Sequence, residues 1–125
     1  MIREKRVAVL GLAFKANTDD IRFAPALDVI QRLLEEGAQV RATDPQAISG
    51  AKRSYPNVSY FENPYEALQD VDAALVCTDW TAFCELDWEK AGRLMSRRLV
   101  IDGRNLYNPK KMQALGFDYY SFGRP

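Results

Sequence analysis

Two short segments of this 125-residue sequence concentrate the residue types that bind anions. The first, residues 11–24, carries Lys15 and Arg22 with Asp19 and Asp20 between them. A lysine ammonium is a mobile point charge, whereas an arginine guanidinium is a planar fork that matches the oxygens of a phosphate. A long connection that is not rich in Gly, Ser or Pro is usually functional. We therefore predict a clamp for a polyanion, in which an aspartate holds the arginine or caps the loop. The alternative is a solvated loop whose acids and bases pair with one another.

The second segment is Asp102-Gly103-Arg104-Asn105, which follows an apolar run. We expect Gly103 to take a positive φ in a sharp turn, because glycine has no Cβ to clash there. Arg104 would then stand at the same edge of the molecule as the first segment, although a turn in which Arg104 pairs with Asp102 is an alternative. Three basic groups at one edge favour an anionic ligand such as a nucleotide diphosphate.

The chain has no histidine and only two cysteines, which narrows its chemistry. The commonest general base and the commonest metal ligand are both absent. Cys77 and Cys84 have no histidine partner and no second Cys pair, so we expect buried, inert thiols. No pair of carboxylates has a spacing that by itself proposes acid–base chemistry. We predict neither a catalytic residue nor a metal site.

Asp44 ends an apolar run at the point where a dinucleotide-binding fold places an acid that binds ribose. Of the G-x-G-x-x-G turn that accompanies such an acid, only Gly11 is present. We therefore favour a structural turn formed by Asp44 and Pro45. The larger aromatic residues are expected in the core, at an interface or on an edge strand: Trp80, Phe83, Trp88, Tyr119, Tyr120 and Phe122.

Apolar runs alternate with helical periodicities along the whole chain. The runs predict strands at 6–11, 39–43, 58–61, 72–77, 98–102 and 117–122, and the periodicities predict helices at 25–36, 64–69, 80–83, 88–95 and 108–115. Such alternation indicates right-handed βαβ units and a parallel sheet. We predict one α/β domain over residues 1–125, with a Rossmann-like, doubly wound, mostly parallel sheet of five to six strands and helices on both faces. Ligands of such sheets bind beyond the carboxyl ends of the strands, where both basic segments lie.

The overall composition excludes several classes of protein. Seventeen basic residues balance seventeen acidic ones, so a general nucleic-acid or membrane-surface binder is not expected. The sequence has no run of about 18 apolar residues, so it predicts no membrane span. The first six residues do not resemble a signal peptide, and two cysteines do not form a disulfide framework. We expect a cytoplasmic protein.

Five groups of residues form a pattern that is typical of one enzyme family. They are Gly11-Leu12-Ala13-Phe14-Lys15, then Thr18-Asp19-Asp20-Ile21-Arg22 with Ala24-Pro25, then Cys77-Thr78-Asp79-Trp80, then Ile101-Asp102-Gly103-Arg104-Asn105, and the closing Tyr119-Tyr120-Ser121-Phe122-Gly123-Arg124-Pro125. Together they closely resemble the C-terminal domain of the UDP-glucose/GDP-mannose dehydrogenase family. The resemblance spans nearly the whole chain, and the fourth group is more similar to the UDP-glucose branch than to the GDP-mannose branch.

The resemblance implies an NAD-dependent enzyme of three parts that oxidises UDP-glucose to UDP-glucuronate in two hydride transfers. A first domain would bind NAD, a central region would carry a catalytic cysteine and help to form a dimer, and a domain like this one would close over the UDP moiety. By position, Phe14 and Lys15 would meet the UDP-sugar, Arg104 would reach it from the opposite loop, and Arg22 would reach the NAD pyrophosphate. The implied partners are the UDP-sugar substrate, the remaining domains of the dehydrogenase and, in the full enzyme, further copies of itself.

The chain also departs from the family pattern. Neither Cys77 nor Cys84 matches the family's nucleophile, and the G-x-G-x-x-G turn is absent. We therefore expect either a part of a larger enzyme or a separately encoded piece, which forms no NADH from UDP-glucose by itself. Two other functions remain open: a stand-alone nucleotide-binding or regulatory module, and a structural domain with an exposed apolar patch around Trp80 and Phe83. Another UDP-sugar or GDP-mannose is an alternative to UDP-glucose.

Overall fold

The computed structural model describes residues 4–12, 25–77 and 81–121. Its strands are β1 (Arg6–Leu10), β2 (Gln39–Thr43), β3 (Ser59–Tyr60), β4 (Ala73–Val76), β5 (Leu99–Asp102) and β6 (Asp118–Ser121). Its helices are α1 (Pro25–Glu35), α2 (Ile48–Ser54), α3 (Pro64–Ala67), α4 (Thr81–Cys84), α5 (Trp88–Leu94) and α6 (Pro109–Ala114). No helix within these ranges is long and apolar enough to cross a membrane.

The strands form one sheet in the order β3-β2-β1-β4-β5-β6, and every adjacent pair is parallel. The order reverses between β1 and β4, which is the switch point where doubly wound sheets bind their ligands. The predicted Rossmann-like α/β fold is confirmed, and each predicted strand is present, with no end more than one residue from its predicted position.

Helices cover both faces of the sheet, as the sequence predicts. On one face, α1 and α2 pack over a buried cluster that contains Val9, Ile30 and Ala51. On the other face, α5 and α6 contribute Trp88 and Met112 to a second cluster. Because successive residues of a strand point to opposite faces, β1 feeds both clusters and is a continuous apolar run.

Two helices begin with the same Asn-Pro pair. The side chain of Asn63 accepts a hydrogen bond from the Tyr65 amide at 2.9 Å, and that of Asn108 accepts from the Lys110 amide at 2.9 Å. The proline that follows each asparagine needs no partner for its nitrogen and has a φ suited to the first helical turn. These local contacts explain why the sequence located α3 and α6.

Helix α2 was not predicted. Its apolar positions, Ile48 and Ala51, are too few to define a helical period, and Gly50 is a weak helix former. No side chain of α2 caps its first turn. The amide of Ala47, just before the helix, instead donates to the Asp44 side chain at 2.8 Å, so a contact with the preceding strand end starts the helix.

Candidate functional site

The carboxyl ends of the strands lie in one row across the sheet. Leu10 pairs with Thr43 on one side and with Val76 on the other, and Val76 pairs with Asp102. The loops that follow β1 and β5 therefore leave the sheet at the same edge, with only β4 between them. Two strand spacings separate them, or about 10 Å. This is the edge at which the sequence places the two basic segments.

The first residue after each of β1, β4 and β5 continues the hydrogen-bond ladder of the sheet. The amide of Gly11 donates to Thr43 O at 2.8 Å, that of Cys77 to Leu10 O at 2.9 Å and that of Gly103 to Val76 O at 2.9 Å. Gly11 has a φ of 104°, a conformation in which a Cβ would be strained. The sheet therefore fixes the direction in which the chain leaves β1.

Asp44 is buried at the end of β2 and forms a structural turn. Its side-chain oxygens accept hydrogen bonds from the amides of Leu12, Gln46 and Ala47, each at 2.8 Å. This agrees with the structural turn that we favour over a ribose-binding role. The bond to Leu12 also joins the loop after β2 to the loop after β1.

Asp102 is fully buried at the end of β5 and organises the turn that carries Arg104. Its Oδ1 accepts from the Arg104 amide at 2.9 Å, and its Oδ2 accepts from the Leu106 amide at 2.7 Å and the Tyr107 amide at 3.2 Å. The hydroxyl of Tyr119 also donates to Oδ2, at 2.6 Å. Asp102 thus binds the backbone amide of Arg104. The alternative interpretation expected a pair between the two side chains instead.

Two details of this turn differ from the sequence analysis. The left-handed residue is Asn105, with a φ of 57°, whereas Gly103 is not among the described glycines that take a positive φ. Asparagine tolerates this region better than most residues, so Gly103 is not required there. Tyr119, which we expected only to pack an edge strand, bonds to the buried carboxylate. Its place on β6, 17 residues away in sequence, gives no local signal of that contact.

The turn is also tied to the helical layer. The hydroxyl of Tyr107 donates to Phe83 O, in α4, at 2.6 Å. Burial and then the charge of Asp102 raise the pKa of Tyr107, so its hydroxyl stays protonated as the donor that this contact needs. The loop between β5 and α6 is therefore anchored at both its ends.

The charge of Arg104 acts on Cys77, the first residue after β4. Burial raises the pKa of the Cys77 thiol to about 11, and the positive charge of Arg104 acts in the opposite direction. Arg104 is exposed at this edge of the sheet.

A small apolar hollow of about 110 Å³ lies beside this turn. It is lined by Val29, Leu75, Val76, Cys77, Ile101 and Gly103. Pockets for whole small ligands are several times larger, about 300–1,000 Å³. The hollow is therefore too small for a whole ligand, and Gly103 in its lining directly precedes Arg104.

The two cysteines are free thiols in different surroundings. Cys77 is half-buried, whereas Cys84 is exposed, which corrects our expectation that both are buried. In the single turn of α4 the inward position belongs to Phe83, which is 1% exposed, so Cys84 is left on the surface. The apolar patch that a purely structural domain would present around Phe83 is therefore not formed by that residue.

Other predicted site residues lie outside the described residues. These are Phe14, Lys15, Asp19, Asp20 and Arg22 of the first basic segment, together with Trp80 and Phe122. Of the four residues expected to contact substrate or cofactor, the structure thus places Arg104. For Phe14 and Lys15, it places the strand end from which their segment departs.

Comparison with known proteins identifies the family. The model of the UDP-glucose/GDP-mannose dehydrogenase family, UDP binding domain, matches residues 8–109, which include both the end of β1 and the Asp102 turn. The chain belongs to the UDP-glucose/GDP-mannose dehydrogenase family. The resemblance drawn from the five groups of residues is confirmed.

Relatives within the UDP-glucose/GDP-mannose dehydrogenase family are much longer than this chain. The chain is 45% identical to the UDP-glucose 6-dehydrogenase TuaD of Bacillus subtilis over 99% of its own length but 27% of TuaD. It is 42% identical to the UDP-glucose 6-dehydrogenase of Pseudomonas aeruginosa over 97% of its length and 28% of that protein. The chain therefore spans little more than a quarter of these relatives.

Solved structures of dehydrogenases share the fold. An NDP-N-acetyl-D-galactosaminuronic acid dehydrogenase from Methanosarcina mazei matches with a TM-score of 0.86 and 30% identity, over 98% of this chain and 25% of that one. A UDP-glucose dehydrogenase from Pyrobaculum islandicum matches with a TM-score of 0.78 and 35% identity, over 96% of this chain and 25% of that one.

Proposed function

We propose that this chain is the UDP-binding domain of an NAD-dependent UDP-glucose 6-dehydrogenase, which oxidises UDP-glucose to UDP-glucuronate. The observation that carries the proposal is the turn held by Asp102, which fixes Arg104 at the carboxyl edge one strand away from the loop after β1. Family membership and the long relatives named UDP-glucose 6-dehydrogenase support it. Residues 1–125 would form one domain of the enzyme.

The proposed roles divide between the two loops. Phe14 and Lys15 contact the UDP-sugar from the loop after β1, and Arg104 contacts it from the loop after β5. The diphosphate lies between them, where long cationic side chains reach across the width of β4. Arg22 extends from the same segment as Lys15 to the pyrophosphate of NAD.

NAD, which accepts the hydride in the proposed reaction, does not fit the dinucleotide position of this domain. That position requires a Gly-rich turn after β1 and an acid after β2 that is open to the ribose. Here the turn has only Gly11, and Asp44 is buried with hydrogen bonds to three backbone amides. We therefore assign NAD to the remaining domains, with Arg22 as the contribution of this chain.

The proposal includes the partners of the domain. The remaining domains of the dehydrogenase would close the cleft over the UDP-sugar, and the full enzyme would be a cytoplasmic homo-oligomer. Support comes from the relatives, of which this chain covers 27% and 28%. An isolated domain should bind UDP weakly, because much of the contact surface belongs to the rest of the enzyme.

A dehydrogenase for another nucleotide sugar is the second candidate. Two solved structures with TM-scores of 0.80 and 0.86 are a UDP-D-ManNAc dehydrogenase and an NDP-N-acetyl-D-galactosaminuronic acid dehydrogenase. The proposed contacts of this domain are with the nucleotide diphosphate, which such substrates share. UDP-glucose remains our first choice, because the relatives with 45% and 42% identity carry that name.

Calorimetry with UDP tests the binding role. Arg104→Ala and Lys15→Ala should each weaken the binding of UDP by about 10- to 100-fold, since each removes a charge-assisted hydrogen bond to phosphate. Arg53→Ala is the control, because Arg53 is exposed in the last turn of α2. Equal UDP affinity for the unmodified chain and both variants would contradict the clamp.

A further inference from the structure

We propose that Tyr119 is a positioning residue for Arg104. Its hydroxyl holds the Asp102 carboxylate, and the carboxylate holds the turn from which Arg104 reaches the nucleotide diphosphate. The inference rests on the proposed function, since it assigns Tyr119 a role in the same binding site.

The contact between Tyr119 and Asp102 crosses from β6 to the end of β5. The Tyr119 hydroxyl lies 2.6 Å from Asp102 Oδ2 and 3.2 Å from Tyr107 O. A hydroxyl has one proton to donate, and a carboxylate oxygen is both the nearer and the stronger acceptor. Tyr119 therefore donates mainly to Asp102, which is fully buried and cannot exchange this bond for one to bulk water.

The carboxylate transmits the effect of Tyr119 to Arg104. Its two oxygens belong to one planar group: Oδ2 receives Tyr119 and the amides of Leu106 and Tyr107, while Oδ1 receives the amide of Arg104. If the hydroxyl is lost, the group can rotate about its bond to Cβ, and Oδ1 moves away from the Arg104 amide. The turn then populates other shapes, in which the guanidinium is less often in place.

Tyr119 also has a packing role that the test must separate from the positioning role. Its ring is half-buried against the core cluster formed with α5 and α6. Tyr119→Phe keeps that ring and removes only the hydroxyl. Tyr120 is the matched control, because it is the next residue of the same strand, has the same side chain and is 61% exposed.

The first experiment measures the turn without any ligand. Amide hydrogen exchange of the 125-residue chain, followed by NMR, should be faster by about tenfold at Arg104 and Leu106 in Tyr119→Phe, because an anchoring bond is lost. Tyr120→Phe should leave both rates unchanged. Unchanged exchange at both amides in Tyr119→Phe would overturn the inference whether or not UDP binds.

The second experiment is a double-mutant cycle on UDP affinity, measured by calorimetry well below the melting temperature. Tyr119→Phe should weaken the binding of UDP by about threefold to tenfold, and by less than about twofold when Arg104→Ala is already present. Equal losses in both backgrounds would show that Tyr119 acts independently of Arg104, and no loss in either would show no role in binding; both overturn the inference. The proposed function fails separately if Arg104→Ala itself leaves the affinity unchanged, and the inference then fails with it.

Discussion

Two buried aspartates, Asp44 and Asp102, have the same task at the ends of two strands. Each accepts hydrogen bonds from three backbone amides, which is the short-range acceptor geometry that aspartate provides in turns. Carboxylates at the edge where an anion is proposed to bind would otherwise repel it. Because their oxygens face amide dipoles, these two residues shape the edge at a reduced electrostatic cost.

Removing the Asp44 side chain should destabilise the fold. Asp44→Ala leaves the amides of Leu12, Gln46 and Ala47 without their acceptor, and the site is buried. We expect the free energy of unfolding, measured with urea, to fall by about 2–4 kcal/mol. Glu62→Ala, at an exposed position nearby, should change it by less than about 0.5 kcal/mol. A loss below about 1 kcal/mol for Asp44→Ala would argue that water replaces these bonds.

The two cysteines should differ in reactivity. Burial raises the pKa of Cys77 from 9.0 to about 11, so its thiol is protonated at pH 8, whereas Cys84 is exposed. Alkylation by iodoacetamide, measured on Cys77→Ser and Cys84→Ser variants, should be slower at Cys77 by at least about tenfold, and equal in denaturant. Arg104→Ala should slow Cys77 further, because the cation that lowers its pKa is removed. Comparable folded-state rates would contradict this environment.

The same raised pKa links stability to pH. The folded state favours the protonated thiol of Cys77, so its contribution is complete below about pH 9 and is lost as the pH rises toward about 11. Cys77→Ser should therefore flatten the decline of the free energy of unfolding between these values. Urea titrations at pH 8, 9, 10 and 11 measure the free energy of unfolding. If Cys77→Ser does not change its decline with pH, other groups cause that decline.

At the scale of elements, local sequence patterns were sufficient to predict the strands and helices that are stabilised by contacts between residues close in sequence. The run at β1 and the Asn-Pro pairs before α3 and α6 predict those elements, because side chains within a few residues determine them. Helix α2 depends on Asp44, and the Arg104 turn depends on Tyr119 from another strand. Contacts of the second kind arise only when the sheet assembles, so the sequence marks Arg104 as a candidate but gives no sign of the residue that anchors its turn.

Helix α6 provides a test of the local contribution. Asn108 caps it by accepting from the amides of Lys110 and Lys111, and the helix follows directly on the Arg104 loop. Asn108→Ala should lower the free energy of unfolding by about 1 kcal/mol in a urea titration. Gln113→Ala, exposed on the same helix, should be nearly neutral or slightly stabilising. Equal effects of the two substitutions would show that the cap contributes little.

At the scale of the whole molecule, the row of strand ends explains why segments that are distant in sequence leave the sheet at one edge. Leu10 pairs with Val76, and Val76 pairs with Asp102, although these three residues are far apart in sequence. Parallel strands bring their carboxyl ends to one edge, and the reversal of strand order at β1 and β4 opens a crevice there. The fold thus supplies the position of the site, and a few buried side chains supply its shape.

The isolated chain should bind UDP but form no NADH from UDP-glucose and NAD. In the described residues, Asp44 at the dinucleotide position is engaged by backbone amides, and Cys77 is a protonated thiol in an apolar wall, so we expect no hydride transfer and no covalent catalysis by Cys77. Absorbance at 340 nm measures the product, and the longer UDP-glucose 6-dehydrogenase TuaD is the positive control. NADH formation by the 125-residue chain above the rate without enzyme, especially if lost in Cys84→Ser or Cys77→Ser, would mean that the chain carries a complete active site. Binding without turnover would instead place the oxidation in the longer enzyme, with this domain holding the nucleotide end of the substrate.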